Sequence, residues 1–137
     1  MDHRVWLAAV VAVSGCTKQF ATPSEIRTTA APEQVFECVK QQLNALEYKQ
    51  TSVDNDEFRI NGTKIDTKSR RSDTQFRRVL NKLEIDIGAE ADGQTSLEVL
   101  PKTFAEYTTQ RGPTEVQEQS STEVLADAKT LQDRCKS

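Results

Sequence analysis

The side chains able to do chemistry are few and scattered along this 137-residue chain. There are three cysteines, Cys16, Cys38 and Cys135, and a single histidine, His3. A thiolate can attack, bind metal or pair into a disulfide. A Ser-His-Asp triad, a Cys-His pair or a His-rich zinc site would each need that one imidazole. Carboxylates are the remaining option for acid and base work: Glu106 sits beside Tyr107, and Glu84 and Asp86 occupy alternate positions. Alternation explains the second pair without chemistry, because every other residue of a half-buried strand faces water. Eight basic residues, Arg59, Lys64, Lys68, Arg70, Arg71, Arg77, Arg78 and Lys82, crowd one stretch against two acidic ones, Asp66 and Asp73.

The chain as a whole carries 18 basic and 21 acidic residues, for a net charge of -3. It therefore lacks the basic surplus of bulk nucleic-acid binding, and no nucleic-acid partner is expected. At the N-terminus, residues 5–13 form an apolar run (V-W-L-A-A-V-V-A-V) followed by Ser14, Gly15 and Cys16. That run is too short to cross about 30 Å of hydrocarbon, which takes roughly 20 helical residues, but it suits the h-region of an export signal. The sequence V-S-G-C at 13–16 resembles the lipobox of bacterial lipoproteins. The resemblance implies cleavage before Cys16, acylation of its thiol with chains such as palmitate, and a protein exported and anchored to a membrane by lipid. Thr17, next to the acylated position, implies delivery to the outer membrane, facing the periplasm. Two or three acyl chains, at roughly 0.8 kcal/mol per buried methylene, hold far more firmly than one.

On this reading residues 1–15 are a signal peptide, 16–23 a lipidated N-terminus and short tether, and 24–137 a single domain. Removing the first 15 residues leaves 122 and takes away His3 and Trp6, the only histidine and the only tryptophan. Catalysis is not expected of what remains, nor is a cofactor or a metal.

Export also places Cys38 and Cys135 in an oxidising compartment. Val35, Phe36, Val39, Leu43 and Leu46 recur at helical steps across 33–47, with Pro32 suited to the first helical position. Cys38 borders that stripe. A second stripe, Val124, Leu125, Ala128 and Leu131, continues to Cys135. Two helices side by side on one sheet bring the sulfurs together, so a Cys38–Cys135 disulfide is expected. Closing a loop of roughly a hundred residues removes about 4 to 5 kcal/mol of unfolded-chain entropy.

Strands are expected at 24–29, 48–53 and 58–65, the last carrying Asn61-Gly62 as a competing turn. Leu83, Ile85, Ile87 and Ala89 alternate with Glu84, Asp86 and Glu90, a period of two. Asp92-Gly93 turns the chain into Leu97 and Val99, and Pro101 marks a bulge or an edge before 104–108. Gly112-Pro113 stops that strand. Thr114 with Gln117, and Ser120 with Glu123, then offer capping boxes for the final helix.

The order β-α-β-β-β-β-α makes the fold class α+β, an antiparallel β-sheet with two helices packed on one face. It resembles small uncharacterised α+β envelope lipoproteins, including assembly accessories of the outer membrane. The opening A-P-E-Q-V-F at 31–36 is similar to a helix start in START-related lipid-binding domains. These likenesses bear on architecture; the function expected of a lipid-tethered domain without histidine is a non-catalytic interaction or assembly-accessory module with an envelope protein partner. The alternative is a carrier of a hydrophobic or lipid ligand between sheet and helices, and a carboxylate-dependent hydrolase stands third. In the basic stretch, Lys64, Lys68, Arg70, Arg71, Arg77 and Arg78 are candidates for contact with an anionic surface, at on the order of 1 kcal/mol each. A solvated loop is the plainer account of the same residues.

Overall fold

A computed structural model describes residues 19–136. The signal segment, Cys16 and the start of the tether lie outside the described residues. The elements run β1 (Ser24–Thr28), α1 (Pro32–Ala45), β2 (Lys49–Asp54), β3 (Arg59–Asp66), β4 (Phe76–Ala89), β5 (Thr95–Thr109), β6 (Gly112–Glu118) and α2 (Thr122–Arg134). All strand pairs are antiparallel, in the order β1-β5-β4-β3-β2, and β6 also pairs with β5. The class is α+β with both helices in one apolar cluster with the sheet. There is one strand more than the sequence pattern predicts.

The extra strand is β6, and the correction has a local cause. Gly112 takes a φ of +105° and pairs with Thr109, so the chain reverses through a tight turn that glycine adopts without a Cβ clash. Pro113, which pairs with Thr108 beside that closing pair, turns its backbone away from β5, and its missing N–H breaks no ladder bond. Thr114 and Gln117 therefore lie in a strand and cap nothing. Helix α2 starts one residue later than the second capping box implies: Ser121 is its N-cap, and the Ser121 Oγ accepts from the Val124 N–H at 3.1 Å.

The edge of β5 away from β4 is shared, with β1 on 95–99 and β6 on 103–109. The Thr108 N–H donates to Gln75 O on the β4 side, so odd-numbered residues of β5 turn their backbone the other way. Pro101 thus faces the gap between β1 and β6, at an edge yet inside a continuous strand.

Odd-numbered side chains of β4 and β5 meet the helices. Val39, Leu43, Leu83, Leu97, Val99 and Leu131 are all 0% exposed there. Asn61-Gly62 is no turn; a Cβ at Gly62 would stand 3.1 Å from both Leu43 and Tyr48, so the glycine lets α1 and the start of β2 approach β3. Leu125, expected on the α2 stripe, is 49% exposed. Gln132 is buried instead, because its Nε2 donates to Ser24 O (2.8 Å) and Leu97 O (3.3 Å). Cys38 and Cys135 are bonded, with Cα atoms 5.6 Å apart across 97 residues of sequence.

Replacing both Cys38 and Cys135 by serine is expected to lower unfolding stability by about 4 to 5 kcal/mol on the loop-closure model. Guanidinium unfolding of the two proteins measures it, and coincident midpoints would contradict it. Glu47 closes α1 at a φ of 67°, its N–H donating to Asn44 O at 3.1 Å. Glu47→Gly should therefore raise stability by about 0.5 to 1 kcal/mol, since glycine alone escapes the left-handed clash. A lowered midpoint would show that the side chain does something else there.

Candidate functional site

Even-numbered side chains of β4 and β5 and odd-numbered ones of β3 point away from the helices. No element covers this face among the described residues. It holds a groove of about 1050 Å³ whose floor includes Thr63, Leu80, Lys82, Glu84 and Glu106. The face is charged, and its charges are matched between strands. Lys102 Nζ meets Glu84 at 3.0 Å, Lys82 Nζ meets Glu115 at 2.7 Å, and Arg59 Nε meets Asp86 at 3.6 Å. Lys82 also lies 4.6 Å from the Phe104 ring centroid.

The carboxylates weighed for acid and base work are thus engaged separately. Glu84 and Asp86 pair with cations on different strands. Glu106 and Tyr107 point to opposite faces, as neighbours in a strand must. Glu106 is buried, with Oε1 lying 3.2 Å from Arg78 Nε and 3.4 Å from Arg77 Nη1. Neither N–H is aimed at that oxygen, which is held by charge alone, while Arg78 Nη2 donates to the other carboxylate oxygen, Oε2, at 3.5 Å.

Lys64, Lys68, Arg78 and Lys82 of the basic stretch line the same groove, but carboxylates line it with them, Glu47 and Glu123 from the helix side included, so no purely basic patch forms. Lys64 turns to the helix side and meets Glu123 (3.0 Å) and Asp127 (3.4 Å) of α2. Partial burial disfavours its charge, but the hydrogen bonds to Glu123 and Asp127 and their charges prevail and hold it above the usual lysine range. Tyr48 donates to the same Asp127 at 2.8 Å. Burial first, and then that carboxylate, push its phenol well above the ordinary tyrosine value. Arg71 folds the 67–75 loop back over the Phe76 ring, 5.1 Å away, and grips Glu118 of β6 through both terminal nitrogens while donating to the Tyr107 hydroxyl at 3.2 Å. Arg70 donates to the carbonyls of Thr67 (2.8 Å) and Ser69 (3.2 Å). Among the described residues, neither Arg70 nor Lys68 has a carboxylate within ion-pair distance.

Of the partners Glu118, Glu123 and Asp127, Glu123 stands out in sequence only as the end of a capping box and Asp127 not at all. A signal for Glu115 and Glu118 does exist. The hairpin glycine at 112, followed by Thr114 and Val116 at alternate positions, is the pattern of a short edge strand.

No family model matches the chain, and no curated protein does. Among solved structures, the crystal structure of a DUF4468 family protein from Bacteroides ovatus is similar at 13% identity and a TM-score of 0.40. The match covers 83% of this chain and 78% of that one. At that score the likeness carries no argument.

The Arg71–Glu118 pair makes the acid limb of stability testable. Hydrogen bonds from Arg71 hold the Glu118 carboxyl below the usual range. A group depressed in the folded state binds its proton only at lower pH than it does unfolded. Its stabilisation is therefore complete above about pH 4.3 and is lost as pH falls through the folded value. Arg71→Ala should flatten the decline in unfolding midpoint between about pH 5 and pH 3. An acid slope equal to that of the parent protein would show that the pair is not coupled to folding.

Proposed function

We propose that the chain is an exported lipoprotein, anchored through Cys16 to the outer membrane and facing the periplasm. Its domain is a non-catalytic interaction module that presents the uncovered sheet face to an envelope protein partner. The observation that carries this reading is the division of labour between the two faces of the sheet. One face is sealed by α1, α2 and their disulfide, with eight apolar side chains at 0% exposure among the described residues. The other is an open groove whose charges are paired across strands, with Arg77 and Arg78 both drawn to the buried Glu106. Paired, half-exposed charges contribute little to folding, about 0 to 1 kcal/mol each, and can be exchanged for a partner's charges at small cost. The partly exposed Phe104 ring lies among them, with Leu80 buried beneath, and aromatic surface among charges is the mixture found at transient interfaces.

Radioactive palmitate should label the native protein and not the Cys16→Ser variant. A photo-crosslinker replacing Thr63 or Lys102 on the open face should capture an envelope protein that one replacing Lys129 on α2 does not. Equal capture from both faces would remove the assignment of the surface. Palmitate that never enters the native protein would remove the anchor.

A further inference from the structure

We propose that the corner where β6 meets α2 rests on the lipid interface, so that the shared β1 and β6 edge of the sheet faces the bilayer. This rests on the reading of Cys16 as the lipid anchor, and adds to it an orientation and a contact surface.

The chain is pinned close to that anchor. The Phe20 carbonyl accepts from the Ser120 N–H at 3.3 Å and from its hydroxyl at 3.2 Å. The same hydroxyl stands 2.8 Å from Pro101 O, in the gap between β1 and β6. Phe20 is four residues from Cys16, a reach of at most about 14 Å even fully extended. From this edge to β2 the sheet extends four strand spacings, about 19 Å. The junction is the part of the domain held closest to lipid.

Its surroundings suit that position. Val116, 50% exposed, lies on β6 near its junction end, and Leu125, 49% exposed, lies one turn into α2. Leu125 and Gln132 stand two turns apart and share a flank of α2. Gln132 bonds Ser24, the first residue of β1. Leu125 therefore faces the same edge beyond the start of β1, where no strand lies under it. The carboxylates of β6 and of the first turn of α2 have cations: Glu118 is held by Arg71, Glu115 by Lys82 at 2.7 Å and Glu123 by Lys64 at 3.0 Å. The exposed Glu98, in contrast, lies toward the β1 end of the edge, opposite Glu25. At the corner itself two apolar side chains among neutralised charges enter a head-group layer without an unpaired carboxylate of β6 or of the first turn of α2 repelling an anionic surface. The other two large exposed apolar residues, Val53 and Ile65, belong to β2 and β3 on the far side of the sheet.

Loss of Trp6 with the signal leaves a tryptophan-free background. Acylated full chains carrying Val116→Trp, Leu125→Trp or Val53→Trp can be placed in vesicles of equal parts phosphatidylethanolamine and phosphatidylglycerol, with and without brominated acyl chains. Tryptophan at 116 and 125 should lose most of its emission to bromine and shift to the blue, while that at 53 keeps its emission. Equal quenching at all three positions, or none at 116 and 125, overturns the orientation. So does protein crosslinking at 116 in place of quenching, which would give the edge to a partner strand. Intact mass of the same samples reports on Cys16 separately. An unmodified thiol removes the anchor and the orientation together, whereas acylated protein with unquenched tryptophans removes the orientation alone.

Discussion

Pro101 offers no N–H midway along the fifteen-residue strand β5, and much of the fold is arranged around that missing donor. A single strand pairing along the whole outer edge would find no donor there. Two shorter strands cover it instead, β1 on one side of the proline and β6 on the other. Ser120 occupies the space between and ties the Pro101 carbonyl to that of Phe20. One residue later, Ser121 caps α2. Its hydroxyl donates to the buried Asn81 side chain at 2.9 Å, and its N–H to the Thr103 hydroxyl at 2.9 Å. The helix is thus launched from the middle of the sheet and returns across β5 and β1 to place Cys135 beside α1.

The energetic roles of the two faces differ accordingly. The helix side carries the stability: fully buried apolar side chains contribute roughly 1.5 to 3 kcal/mol each, and the disulfide restricts the unfolded chain. The open side is held in solution by matched charges that add little to folding. Lys64 and Asp127 mark the boundary between the two. They join β3 to α2 at the rim of the groove, where a buried phenol needs a partner and a half-shielded ammonium needs two.

Periodicity made several parts legible. Alternation in 83–89 marks one face as buried, which is what β4 does, and the three-and-four spacing from Val35 to Leu43 marks the inward stripe of α1. The pairing of Cys38 with Cys135 was legible as well, because Cys38 borders and Cys135 continues an apolar stripe on helices that share a sheet face. The strand β6 was not. It sits at an edge with most residues exposed, so burial imposes no apolar alternation on it. The Asn61-Gly62 pair reads as a turn from its local backbone chemistry, although its glycine answers to Leu43 and Tyr48 pressing from above.

By itself, the sequence determined most of the inward stripe of each helix and the inward face of β4, since these follow from local period; it misplaced Leu125 and the cap of α2. It also determined that the basic residues between Arg59 and Lys82 crowd one stretch of chain. Only the tertiary structure decided where their charges go. Glu106, Glu118, Glu123 and Asp127 lie at least 28 residues beyond the cations they hold, on strands and a helix whose register no local pattern encodes. Ion pairs of that kind depend on distance in space, and distance in space is set by the packing of the core.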